Sequence, residues 1–179
     1  MSESDQAAPS PTSAEPDDYV QNLLNTLIET TLDSVDGFEK AAELARNPRF
    51  QGLFKDKAVA RRKVAEDLQA ETRRLGFDPW DKGSFRGLAQ RAFLELRDKI
   101  GGKSDKPLID AVEHHEDAIC DQFAEAANDG KLPQSARDLA NRLHRDLAAD
   151  HDEIVAIQKE FDPAAEPVAP AGVQPAPKQ

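Results

Sequence analysis

The chain has 179 residues, enough for one well-buried core, and 34 acidic residues against 23 basic ones give it a formal net charge of -11. That charge repels nucleic-acid phosphates and anionic headgroups, so neither nucleic acid nor a membrane surface is an expected partner. No apolar run approaches the roughly 18 residues of a membrane span. The acidic start, MSESDQAAPSPTSAEPDD, lacks the basic and apolar stretches of a secretory signal, and Cys120 is the only cysteine. The cytoplasm is the expected location.

Residues 1–17 and 162–179 are rich in Pro, Ala and Ser with almost no large apolar groups, and are expected to be disordered tails around one domain over 18–161. Within that domain apolar residues recur at helical spacing, and no segment alternates like a strand. A first helix is predicted over about 18–46, with Leu24, Leu27, Thr31, Phe38, Ala41 and Ala45 on one seam and Asn47-Pro48 ending it. A second spans about 50–75, with Phe54, Ala58, Arg61, Val64 or Ala65, Leu68 and Leu75 inward, and stops at Gly76. Thr31 and Arg61 are the polar members of these seams. Trp80, in LGFDPW, is expected to plug one end of the bundle.

A shorter third helix follows Gly83-Ser84, with Phe85, Leu88, Ala92, Leu96 and Ile100 in line and Ser84 as its cap. A fourth starts at Ser104 or Asp105 with Pro107 in its first turn and ends near Asn128-Asp129-Gly130, and a fifth runs from Pro133 to Phe161. Short joins make helices one and two, and four and five, antiparallel neighbours, while the long join holds helix three. The fold class is therefore all-α, either a four-helix bundle of ferritin-like type with an extra helix in the crossover or a simple five-helix bundle.

Lys55, Lys57, Arg61, Arg62 and Lys63 are expected to face Asp33, Asp36, Glu39 and Glu43 across the first two helices, and the line Glu29, Asp33, Asp36, Glu43 reads as a solvated face. Chemistry, if any, lies with the histidines, all four of which are on helices four and five. His115 and Glu116 share the core face of helix four with Val112, Ile119 and Phe123, and His144 and His151 are two turns apart on helix five. Folding these helices about residue 131 sets 115–116 opposite 146–147, within about a turn of both histidines. Imidazoles and a carboxylate at that reach ligate iron, manganese or zinc. The competing reading has the buried His and Glu hydrogen-bonded to each other or to Arg, and Arg61 in the seam favours it, since its guanidinium neutralises Glu116 and repels a divalent ion. On that reading no cofactor is expected. Ser84 has no histidine placed to activate it, and Cys120 reads as apolar filler.

LIETTLDSVDGFEKAAE at 27–43, LG-x-x-P and GS-x-x-G-x-x-x-R between Leu75 and Arg91, Glu116-Asp117, Leu132-Pro133 and HDEI at His151–Ile154 resemble a mainly proteobacterial family of four-helix-bundle proteins of unknown function with a ferritin-like fold. Gln90 departs from that family's pattern, where many relatives carry His. The resemblance implies a ferritin-like fold, whose superfamily builds a di-iron site from a Glu on each of two helices and a Glu-x-x-His on each of the others. Glu116 then corresponds to the helix-four glutamate and His151 to the last histidine. Thr31, Arg61, Val64 and Ala148 stand where other ligands belong. The expected function is a non-catalytic bundle acting through protein contacts, with a protein partner or a second copy, in a setting such as a stress response. The alternative is a ferritin-like metal-binding or redox protein using Glu116, His151, His144 and His115.

Overall fold

The computed structural model describes residues 14–83 and 104–161. Among them the chain forms four helices and no strand: α1 (Ala14–Leu44), α2 (Pro48–Arg74), α3 (Lys106–Asn128) and α4 (Gln134–Glu160). α1 begins four residues before the expected start, inside the segment assigned to the N-terminal tail. The expected tails at 1–13 and 162–179, the expected helix over 84–101 and its Ser84 cap lie outside the described residues. No helix is long and apolar enough, among the described residues, to cross a membrane.

Local chemistry places each helix end. Asn47 caps α2 by accepting a hydrogen bond from the Arg49 N–H at 2.9 Å, and Pro48 occupies the first turn, where its missing N–H costs nothing. At the other end Gly76 takes φ +88°, which only glycine adopts freely. That turn lets the Phe77 N–H reach the Thr72 carbonyl and the Gly76 N–H the Arg73 carbonyl, a paired C-terminal closure. Phe77 is thereby delivered onto the core.

α1 packs along α2, and α3 along α4, with α1 also against α3. Phe38 meets Phe54, Glu39 meets Arg62, and Asn25 meets the segment beyond the α2 end. Two apolar clusters form the core. One joins Leu24, Leu27, Ile28, Leu68, Ile119, Phe123, Leu143 and Leu147, and the other joins Phe38, Phe50, Phe54, Leu108, Ile109, Ile154 and Ile157. The seam residues expected from periodicity on α1 and α2 are buried, except Leu75, which is half-buried.

Asp105 fastens one end of the bundle. Its buried carboxylate accepts the Arg46 and Asn47 N–H groups at 3.0 and 2.9 Å, tying the α1–α2 turn to the start of α3. Asn25 fastens the other, with its Oδ1 accepting from the Trp80 N–H at 2.9 Å and its Nδ2 donating to the Asp78 carbonyl at 3.3 Å. Trp80 does not plug that end as expected: the residue is 47% exposed, because these bonds hold the 78–80 backbone inward and leave the side chain outward.

The expected facing of basic and acidic clusters is realised in Arg62 with Glu39, at 2.6 Å. Lys57 turns instead to Asp150 and Glu153 on α4, and Arg61 to Glu116 on α3, because both lie on the inner side of α2. The acidic line of α1 is not simply solvated either, since Gly83 lies so close that a methyl group there would collide with the Asp33 carboxylate.

Leu68 and Phe38 are buried one in each cluster, so Leu68→Ala is expected to cost about 2–5 kcal/mol and Phe38→Ala about 3–5 kcal/mol through the cavity left behind. Urea unfolding followed by circular dichroism measures both; a midpoint that hardly moves would show that the cluster in question is not packed.

Candidate functional site

The middle of the bundle, between the two apolar clusters, is polar. Arg61 projects from α2 and is 1% exposed, and Glu116 on α3 is 2% exposed. The Arg61 Nη2 group donates to Glu116 Oε2, and Ser34 on α1 donates to Glu116 Oε1 at 2.7 Å. Nη2 also stands 3.6 Å from Asp150 Oδ2 on α4, and the guanidinium carbon lies 5.7 Å from the centre of the Phe38 ring on α1. One side chain thus touches the other three helices. Arg61 Nε and Nη1 have no hydrogen-bond partner among the described residues.

This arrangement follows from the sequence locally. Arg61 sits one turn from Ala58 and Ala65 and two from Phe54 and Leu68, so α2 cannot bury its apolar seam without burying Arg61. Glu116 is enclosed in the same way between Val112, Ile119 and Cys120. An unpaired charge in such a place is prohibitive, which leaves mutual neutralisation as the satisfactory solution. Thr31, the other polar seam residue, satisfies itself by donating to the Leu27 carbonyl at 2.7 Å.

The four residues singled out as metal ligands do not converge. Glu116 takes its hydrogen bonds from Ser34 and Arg61 rather than meeting His144 or His151. His151 lies on a half-buried edge, with Nε2 3.4 Å from Glu113 Oε1 and 4.0 Å from Asp117 Oδ1. The axial position expected for α4 was close, because Asp150, one residue from His151, does approach the Arg61–Glu116 pair; the rotation about the helix was not. His144 is half-buried with no hydrogen bond or ion pair to another described residue. His115 is half-buried on the flank of α3, and its Nε2 is buried without a partner among the described residues. Burial lowers the His115 pKa, and Arg61 and His114 lower it further, against the opposing pull of Glu116 and Asp33.

Residues 19–129 match the model of a family described as Domain of unknown function (DUF2383). The chain belongs to that family. The DUF2383 match includes Ser34, Arg61 and Glu116, whereas His144, Asp150 and His151 lie beyond it. No curated protein matches the chain.

The residues present do not fit the di-iron centre that a ferritin-like fold implies. Arg61 places a permanent positive charge on the one central glutamate, Val64 and Ala148 carry no donor, and Thr31 spends its hydroxyl on its own helix. Among the described residues no group of three or more His, Cys, Asp or Glu side chains is arranged to hold a metal ion. Nor is Cys120 arranged as a nucleophile, since burial pushes its thiol up to about 11.

Sequence reasoning passed over two participants. Ser34 carries no signal, because a serine inside a helix is ordinarily neutral, and Asp150 carries none beyond standing next to His151. Helical spacing offered the one clue to Ser34, which lies three residues from Thr31 and four from Phe38.

Arg61→Ala is expected to cost about 3–5 kcal/mol by leaving Glu116 buried and uncompensated. The double change Arg61→Met with Glu116→Leu should recover most of that loss, because it removes both charges and the unpartnered Nε and Nη1 with them. Denaturant unfolding of the three proteins decides the point; equal stability of Arg61→Ala and the native chain would show that the pair is not buried. The lowered His115 pKa carries a sign as well. The folded chain takes up this proton less readily than the unfolded chain. Stability is therefore whole above the ordinary imidazole value of about 6.5 and is lost as pH falls from there through the lower folded value. Between pH 7.5 and 5 the native chain should lose stability relative to His115→Leu, and a gap independent of pH would refute the assignment.

Proposed function

We propose that this DUF2383 chain is a non-catalytic bundle of the cytoplasm that acts through protein contacts, on an antiparallel, ferritin-like arrangement whose central metal position is filled by an ion pair. The carrying observation is the Arg61–Glu116 pair itself, buried in the middle of the helices. A guanidinium there supplies the positive charge that a metal ion supplies to carboxylates elsewhere, but it has no empty orbital and no accessible redox state. Support for the antiparallel arrangement comes from the short α1–α2 and α3–α4 joins, and from Phe38 meeting Phe54 while Asn25, earlier on α1, meets Asp78 beyond the end of α2. The expected helix in the crossover remains part of this proposal.

A second reading, a metal-binding or redox protein, is favoured by one observation only. His151 Nε2 has Glu113 and Asp117 beside it, one turn apart on α3, side chains of the types that ligate iron, manganese or zinc, although as placed the three are not arranged to hold an ion. No ligand converges there from Glu116, His144 or His115.

Metal analysis of untagged full-length protein, purified without chelator and passed through gel filtration, separates the two. The expected result is no stoichiometric iron, manganese or zinc. Two ions per chain would overturn the proposal, and one ion lost on Glu113→Ala would establish the second reading in its place.

A further inference from the structure

Among the described residues Tyr19, Val59 and Trp80 are the large apolar side chains left exposed. Val59 stands alone on the outer side of α2, as scattered surface residues commonly do. Tyr19 is already engaged: its hydroxyl donates to Asp129, and the Lys131 ammonium lies 4.6 Å over its ring. Trp80 differs from both. It is the chain's only tryptophan, and among the described residues no cation covers its ring.

The way Trp80 is held matters more than its exposure. Its N–H donates to Asn25 Oδ1 at 2.9 Å, and its carbonyl accepts from Gln69 Nε2 at 2.8 Å. Two helices therefore grip its backbone, while Asn25, 2% exposed, spends its remaining amide donor on Asp78 two residues earlier. The Gly76 turn and the seated Phe77 hold the segment from the other side. An indole presented from a backbone so fixed loses little entropy when a partner covers it, which is the property of an interface anchor.

Charge indicates what covers it. Asp78 and Asp81 flank Trp80 in the chain, Glu29 lies one turn beyond Asn25, and Glu66 lies one turn before Gln69. Set against these four carboxylates are Arg73 and, lining one cleft with Asp81, Lys82 and the Arg62 that pairs with Glu39, on a chain whose net charge is -11. An exposed indole among carboxylates is complementary to a guanidinium or ammonium group, which stacks on the ring while the acids neutralise it. Lys131 over Tyr19 is the same pairing made within the chain.

We infer that Trp80, with Asp78 and Asp81, is the docking point for a basic segment of a partner protein, which places an arginine or lysine side chain on the indole. This rests on the proposed role through protein contacts and gives the partner its chemistry. The two can fail separately: two bound metal ions overturn that role whatever Trp80 does, while the absence of binding here removes only the docking point.

The test uses the full chain and a fluorescein-labelled decapeptide of alternating Arg and Gly, with the Glu-Gly counterpart as control, in low salt. Trp80→Ala keeps the backbone groups that Asn25 and Gln69 hold, so it should fold, and circular dichroism checks that it does. The Arg-Gly peptide is expected to change the Trp80 emission saturably and the Glu-Gly peptide to leave it unchanged. In anisotropy titrations Trp80→Ala should weaken binding about tenfold or more, Trp80→Phe should stay within about threefold of the native chain, and Asp78→Asn with Asp81→Asn should weaken it about threefold or more and reduce its salt dependence. Three results would each overturn the inference: an emission that does not respond, equal affinity of native chain and Trp80→Ala, which would mean diffuse attraction to the acidic surface, or equal binding of the Glu-Gly peptide.

Discussion

Arg61 stands where all four described helices meet, and the rest of the bundle is arranged around its charge. From α2 it reaches Glu116 on α3, Asp150 on α4 and the Phe38 ring on α1, while Ser34 of α1 completes the hydrogen bonding of Glu116. A charge so deep cannot be left alone, and the cost of isolating it exceeds what any single apolar contact in the core returns. Rotating α2 or sliding α3 by one residue would part the pair and bury both charges uncompensated. Leucine-rich seams tolerate several registers, whereas this pair accepts one. The apolar clusters on either side of the pair supply bulk stability, and the pair selects the packing in which they form.

The ends of the bundle obey the same logic with weaker groups. Asp105 accepts two backbone N–H groups that the α1–α2 turn would otherwise leave unpaired, and Asn25 performs the equivalent service for the loop after α2. Each is a buried polar side chain that joins elements far apart in sequence. Polar groups at both ends and in the middle therefore fix how the helices sit, with apolar surface filling the space between. The more open seam is that between α2 and α4, lined by Lys63, Val64, Arg142, Leu143, Asp146 and Asp150 with Arg61 at its back. Lys57, held between Asp150 and Glu153, closes it on one side of Arg61.

Much of this was legible in the residues. Periodicity alone places Leu27, Phe38, Phe54 and Leu68 inward, and because Arg61 and Glu116 share those inward faces, their pairing follows from the cost of burying either one alone. Helix ends marked by strong local chemistry were legible as well: Asn47-Pro48 and Gly76 each stand within a residue or two of a real boundary. The rotation of α4 was not legible to better than half a turn. Asp150 rather than His151 turns toward Arg61, a displacement of one residue, or about 100° around the axis, and enough to remove a histidine from the centre. Trp80 went astray for a different reason. Hydropathy places a tryptophan inside, and nothing in its own identity shows that Asn25, 55 residues earlier, will take hold of its backbone and turn the ring outward.

In the proposed arrangement, a guanidinium at the centre differs in its consequences from a metal ion. A bundle organised by an ion depends on the supply of that ion and on the pH at which its ligands ionise, and it gains reactive positions in exchange. Arginine keeps its charge across the physiological range and needs no loading, so the fold is complete as soon as the chain has packed. The pair that holds the helices has itself no open coordination position to offer a substrate. On the proposed role through protein contacts, function lies on the outside, where a rigid interior is useful in a different way. A side chain presented from a fixed frame meets its partner without first being ordered, and the hydrogen bonds that hold the Trp80 backbone extend the rigidity of the interior to such a side chain.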